Sequence, residues 1–277
     1  MEKLNLTEPA KIKVAATFNS AADHYDDAPL AYWDVIGRRT VDRLDLRRGF
    51  TVLDVGCGTG ASALPAAERV GPSGRILGVD LADKLLDLAR AKAAKRRLHN
   101  AEFRQGDMTA LGFPDGNFDA VVSVFSVFFV SDMEGLVREL WRMVKPGGKL
   151  AITTWGPRNL EPAHTAWRES VQAERPDLYS PSRRWDRIAL PQQVRKLMED
   201  GGVSNAEVVL ESGSQVLRTP EDWWTIVMGT GLRGTVDAMN GKTAARIRDR
   251  NIGWVRDHRV ESVEINVIYA VATKELG

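Results

Sequence analysis

A single cysteine, Cys57, stands in 277 residues. Internal disulfides and thiolate zinc clusters are therefore excluded, and the chain suits a reducing, cytoplasmic setting. Charge of one sign is also missing. The 38 Lys and Arg residues face 37 Asp and Glu, a formal net charge of +1, which gives no electrostatic case for nucleic acid or an anionic membrane. Long apolar runs are absent too. The longest, residues 120–130, is too short for a transmembrane helix and holds two serines, Ser123 and Ser126. Residues 1–14 alternate charged and apolar positions with no apolar core, so no integral membrane segment and no secretory leader are expected. Internal repeats and low-complexity tracts do not occur. The sequence sets no oligomeric state. Its length suits one large α/β domain with insertions, or a domain with a small cap.

What is present gathers around residues 51–60, Thr-Val-Leu-Asp-Val-Gly-Cys-Gly-Thr-Gly. Residues 51–55 are β-branched and aliphatic apart from Asp54, and three alternate glycines, Gly56, Gly58 and Gly60, cut the run off. A buried parallel strand turning sharply into a helix reads this way, because glycine accepts positive φ and lets backbone approach a ligand. Residues 61–70 are rich in Ala, Leu and Glu and close at Gly71-Pro72, as that helix should. The loop also satisfies the dinucleotide pattern G-x-G-x-x-G/A, and Asp80 ends the next strand where an acid would meet a ribose in either kind of site. Asp54 argues against a pyrophosphate beside it and for an ammonium group. A further strand ends in Asp107-Met108, an acid and an apolar side chain suited to an adenine edge and face.

Taken as a set, Asp54 to Gly60, then Asp80, then Asp107-Met108, resembles the class I S-adenosylmethionine-dependent methyltransferases, above all the ubiquinone/menaquinone-biosynthesis type and its small-molecule relatives. The resemblance runs from about residue 18 to residue 155. It implies a Rossmann-like α/β fold, a mainly parallel seven-stranded sheet with helices on both faces. It also implies S-adenosyl-L-methionine as cofactor. Asp80 would take the ribose hydroxyls and Asp107 the adenine amino group, with Met108 on the ring. Asp54 and the backbone of Gly56, Cys57, Gly58 and Gly60 would hold the methionine end. Leu81, Gly106 and Ser123, at strand ends, complete the expected cofactor contacts. In that family the segment carrying Phe18 and Tyr25-Asp26 folds over the cofactor, which makes Tyr25 a lid residue.

Around this core the expectation is one domain spanning residues 1–277, with N-terminal lid helices over 11–45. Two helical cap insertions are expected at 157–189 and 219–259. Residues 207–217 and 261–273 read as strands, and a fifth parallel strand over 150–155 follows a Lys-Pro-Gly-Gly turn. After the fourth strand, 118–124, relatives often carry a polar residue or a His, whereas this chain has Phe128 and Phe129. That implies an apolar or aromatic acceptor. Trp167, Trp223 and Trp224 fall in the insertions, as candidates to roof it.

Methyl transfer from a sulfonium is an in-line displacement that asks mainly for alignment and dryness. For a general base the chain offers His24, beside Tyr25, and His164 in the first insertion, since imidazole titrates near neutrality; His24 is the first choice. No Asn/Asp-Pro-Pro-aromatic turn, no second cysteine and no metal-ligand spacing is present, so base methylation, cysteine-dependent methylation and metal-assisted methylation are set aside. The expected activity is methyl transfer to an O or C atom of a small, largely apolar or aromatic acceptor. Two alternatives stand beside it: an NAD(P)-dependent oxidoreductase, and a non-catalytic protein that binds S-adenosylmethionine.

Overall fold

The apolar run after residue 50 becomes the middle of a sheet. A computed structural model describes residues 9–180 and 183–276. In it, β1 (Thr51–Val55) lies between β2 (Arg75–Asp80) and β4 (Phe118–Val124), with β3 (Ala101–Gln105) outside β2 and β5 (Val144–Trp155) beyond β4. All four of these pairings are parallel. The connections are right for that geometry: α3 (Ala63–Val70), α4 (Asp83–Lys95) and α5 (Met133–Met143) carry the chain back between strands. β9 (Val267–Thr273) runs antiparallel to β5 and to β6 (Glu207–Glu211), which completes a seven-stranded sheet in the order β3-β2-β1-β4-β5-β9-β6.

Both faces of the sheet are covered, and the alternation of side chains shows how. Val52, Ile76, Ala120 and Val122 pack with Leu64, Ala67, Leu86 and Ala89 of α3 and α4 on one face. Leu53, Leu77, Val121 and Ile152 pack on the other with Leu136 and Leu140 of α5 and with Val194 and Leu197 of α7 (Pro191–Asp200). Strands buried on two faces read as near-continuous apolar runs, as the sequence did.

Three expected strands differ. The fifth begins at Val144, so Lys145-Pro146-Gly147-Gly148 lies inside it as an irregularity, where pairing steps from Phe118↔Val144 to Ala120↔Lys149. The reading 207–217 is broken at Ser212-Gly213, and 261–273 at Ile265-Asn266. The pieces β7 (Ser214–Val216) and β8 (Ser262–Glu264) leave the sheet and pair with each other. Asn266 anchors that break by donating from Nδ2 to the Pro157 carbonyl and to Glu264. A propensity reading sees two β-rich stretches and cannot see where they part from the sheet.

Two helices precede the sheet. α1 (Pro9–Ala21) lies against α4 and α9 (Arg233–Asp237), and α2 (Tyr32–Asp42) against α3. Contact at α2 is close enough to require glycine: a Cβ on Gly37 would sit 2.3 Å from the Ala61 carbonyl oxygen. Residues 1–8, within the stretch read for a leader, lie outside the described residues, as do 181–182 of the first insertion. No described helix is long and apolar enough to cross a membrane.

The insertions supply α6 (Ala163–Glu174), then α8 (Glu221–Met228), α9 and α10 (Gly241–Asp257), with α10 packed on both α6 and α8. Here the structure corrects the expected roof. Trp223 is fully buried and donates from Nε1 to Asn251 Oδ1 on α10 at 3.1 Å. Trp167 and Trp224 face each other with centroids 5.9 Å apart, joining α6 to α8. These rings bind helix to helix; a buried indole whose N–H finds a helix partner is a core residue. Trp223→Ala should lower stability by about 3–5 kcal/mol. Denaturant unfolding checks this, and a midpoint equal to wild type would remove Trp223 from the cap's core.

Candidate active site

At the carboxyl ends of β1, β2 and β4 a cavity of about 650 Å³ opens. It sits where the strand order reverses between β1 and β4, the usual ligand crevice of an open α/β sheet. Its first half is built by the turn after β1. Gly56 and Gly58 adopt φ of +72° and +51°, and a Cβ on Gly56 would lie 2.3 Å from Ser126 Cβ. Gly56, Cys57, Gly58, Asp80, Leu81, Gly106 and Met108 all line this half; Asp54, expected beside them, does not.

The carboxylates are held differently from one another. Asp54 is buried, and its Oδ2 accepts from Ser62 Oγ at 2.6 Å while Oδ1 has no partner. Burial pushes its carboxyl up to about 7; the Ser62 bond opposes this and nearby Asp80 adds to it. Asp80 accepts from the Gly58 N–H at 2.8 Å and the Ala82 N–H at 2.9 Å, bracing the glycine turn. Burial raises its carboxyl even against those bonds. Asp107 is not in the lining. Burial would raise its carboxyl, but bonds from Lys11 and Thr109 outweigh that and hold it low, with Lys11 Nζ 2.8 Å from Oδ2.

Two other expected contacts act from behind. Ser123 is fully buried and shares a 2.6 Å hydrogen bond with Ser126 Oγ, which in turn donates to the Val55 carbonyl. Ser126 is the hydroxyl in the lining, so the serine pair ties β4 to β1. Gly60 has positive φ and faces Leu64 rather than the cavity.

The N-terminal segment closes the front. Tyr25 lines the cavity and stacks on Trp33, with centroids 5.5 Å apart and planes 7° from parallel. Its phenol, desolvated and beside Asp80 and Asp26, is raised far above the ordinary tyrosine value and stays neutral. Polar ties pin the segment: Lys11 to Asp107, Asn19 Oδ1 to the Lys84 N–H, and Asp26 to both Lys92 Nζ and Thr59 Oγ1. His24 is on this segment but not in the cavity. α1 ends at Ala21 and a turn follows, which leaves the ring half-exposed with Nδ1 2.8 Å from Asp27 Oδ2. This corrects the expected base.

The second half of the cavity is aromatic. Phe128 and Phe129 line it together with Trp33, Phe125, Trp155 and Trp185; Phe125 and Trp155 stack at 3.8 Å. Trp167, Trp223 and Trp224 do not line it. The three tryptophans that do were missed, although Trp155 ends a parallel strand, a position that points at ligands in this architecture. Six buried polar atoms of five lining residues have no partner among the described residues: Tyr32 Oη, Trp33 Nε1, both amide atoms of Asn159, His164 Nδ1 and Trp185 Nε1. Each unmet buried polar group costs about 1–3 kcal/mol; of these atoms, His164 Nδ1 lies 3.9 Å from Glu161 Oε1.

The first half fits S-adenosylmethionine on its own evidence. Asp80 stands at the end of β2 and Met108 and Leu81 supply apolar surface, while Asp54 is buried outside the lining.

Comparison with known proteins agrees. A family model described as a methyltransferase domain matches residues 52–148. Nocamycin O-methyltransferase of Saccharothrix syringae is 37% identical over 136 residues, 49% of this chain and 49% of that protein. The chain thus spans about half the length of that relative. Demethylmenaquinone methyltransferase of Listeria monocytogenes is 33% identical over 175 residues, 61% of this chain and 71% of that protein. Among solved structures, the [4+2]-cyclase SpnF shares the fold at 22% identity, with a TM-score of 0.52 over 88% of this chain and 82% of that one. Glycine turn, acidic strand ends and curated relatives converge, and the chain belongs to the class I S-adenosylmethionine-dependent methyltransferases.

Proposed function

We propose that this chain transfers a methyl group from S-adenosylmethionine to an oxygen or carbon of a small, flat, ring-bearing acceptor. One observation carries the reading: a single cavity joins the glycine-turn half to an aromatic half lined with unpartnered polar atoms. The cofactor supplies a sulfonium-borne methyl open to in-line displacement. Asp54 and the Gly56–Gly58 backbone would hold its amino-acid end, Asp80 its ribose, and Leu81, Gly106 and Met108 its adenine, with Asp107 serving by fastening α1. Phe128, Phe129, Trp33, Trp155 and Trp185 would sandwich the acceptor and exclude water, which strengthens every polar contact inside. The names of the nocamycin and demethylmenaquinone relatives support a small-molecule acceptor. Lid helices and cap insertions close over one site, and on that ground the chain is read as one catalytic unit. The unpaired, buried Cys57 supports a reducing, cytoplasmic setting.

The reading is tested by incubating the chain with methyl-labelled S-adenosylmethionine and a panel of hydroxylated naphthalenes and anthraquinones, 1,4-naphthohydroquinone among them. Label in the organic product is expected. Tight cofactor binding with no transfer to any member would favour a binding protein instead.

Asp80→Ala removes a charged acceptor worth about 1.5–3 kcal/mol per hydrogen bond. Calorimetry should show cofactor affinity at least about tenfold weaker in a folded protein. Equal affinity would remove the ribose assignment.

Asp54 generates a pH dependence. Its folded value, about 7, lies above the ordinary 3.8, so the folded protein holds a proton that the unfolded chain releases. That contribution to stability is fully present below pH 3.8 and is lost as pH rises through 7. Asp54→Asn should flatten this decline. A cofactor ammonium beside Asp54 favours the carboxylate, so binding at pH 6 should expel protons from wild type and fewer from Asp54→Asn. Calorimetry in buffers of unlike ionisation enthalpy reads the difference; equal release in both would place the ammonium elsewhere.

A further inference from the structure

The turn leading into α6 is unusual. Asn159 sits between Arg158 and Leu160, which adopt φ of +58° and +64°. Such backbone is strained by about 1–3 kcal/mol per residue and persists where surrounding contacts enforce it. Here the Leu160 N–H donates to the Glu264 carbonyl at 2.7 Å. The result is a buried amide, Asn159, turned to the cavity with neither its oxygen nor its nitrogen engaged.

His164 follows in the first turn of α6. It is 3% exposed and lines the same cavity. Its Nδ1 lies 3.9 Å from Glu161 Oε1 and has no hydrogen-bond partner. The other carboxylate oxygen, Oε2, is engaged by the Thr165 N–H at 3.1 Å, which fixes Glu161 and leaves Oε1 for the ring. Burial alone would raise the Glu161 carboxyl, but the His164 and Thr165 contacts prevail and keep it ionised. A histidine that merely fills a core has its nitrogens satisfied. This one has Nδ1 facing the Glu161 carboxylate at 3.9 Å without a hydrogen bond, and Nε2 is the nitrogen left for a ligand.

Resting on the methyl-transfer reading, we propose that His164, oriented by Glu161, is the general base that takes the proton of an acceptor hydroxyl, with Asn159 holding that oxygen's neighbour. The acceptor's O–H proton passes to His164 Nε2. The oxygen's electron pair forms the bond to the methyl carbon as the carbon–sulfur bond breaks, and that bond's electrons stay on sulfur. A methyl ether, a thioether and an imidazolium result. Glu161 steadies the imidazolium through Nδ1–H until water removes the proton. The 3.9 Å separation suits this role, because catalytic hydrogen bonds are often long before the reactants are in place. Glu161 and Asn159 are positioning residues.

The test uses the full chain, labelled with 15N at histidine and saturated with S-adenosylhomocysteine. His164 is expected to carry its proton on Nδ1 rather than Nε2, and Glu161→Gln should shift the proton toward Nε2. A wild-type ring that carries its proton on Nε2, or does not respond to Glu161→Gln, overturns the proposal and leaves the methyltransferase reading intact. With 1,4-naphthohydroquinone as acceptor, His164→Ala should lower kcat by about 10²–10⁴-fold, leave the cofactor dissociation constant unchanged, and recover part of the rate on adding imidazole. A kcat near wild type, or parallel losses in kcat, cofactor affinity and melting temperature, overturns it. If wild type transfers no methyl to that acceptor, the failure belongs to the proposed function, and the dyad stands or falls on the tautomer.

Discussion

The cleft depends on one close approach, that of the chain leaving β1 to the chain leaving β4. No side chain fits at Gly56, because Ser126 occupies the space a Cβ would need. The Ser126 hydroxyl then reaches the carbonyl of Val55 and, on its other side, Ser123. Asp80 completes the arrangement by accepting from the Gly58 N–H across the turn. Backbone is thereby exposed where a larger side chain would have covered it, and the two strands are locked at the spacing that forms the crevice. The floor of the site is a product of what is absent from one position.

That floor was legible in the sequence for the same reason. Glycine at alternate positions has a steric meaning that tertiary context cannot override, and apolar strands covered on both faces have few other readings. β1, β2 and β4 accordingly have the boundaries their composition implies. The walls were legible only in part. Phe128 and Phe129 were placed by their distance from β4, a regular element. Trp223, fully buried, and Trp33, partly buried, are both aromatics on helices; which one lines the cavity depends on helix pairing, and no local pattern encodes that. His24 was chosen for its place beside Tyr25, but α1 stops at Ala21 and the turn that follows leaves its ring half-exposed against Asp27. Asn159 gave no signal at all, since its exposure to the cavity arises from backbone strain in a loop.

The division of labour follows the division of architecture. The regular sheet supplies the half that fits a cofactor common to a large family. The elements around the sheet, α2 with Tyr32 and Trp33, the turn and first residues of α6 with Asn159 and His164, and the short helix carrying Trp185, supply the unmet polar atoms of the other half. SpnF, a cyclase by name, has the same fold, so architecture alone does not settle chemistry.

α1 belongs to neither half alone. Lys13, Val14 and Phe18 line the cavity, Lys11 fastens to Asp107 at the far edge of the sheet, and Thr17 packs against Gly234 of α9 in the second insertion. One helix thus walls a single cavity and ties the sheet edge to the second insertion, so a substitution that shifts it disturbs both halves at once.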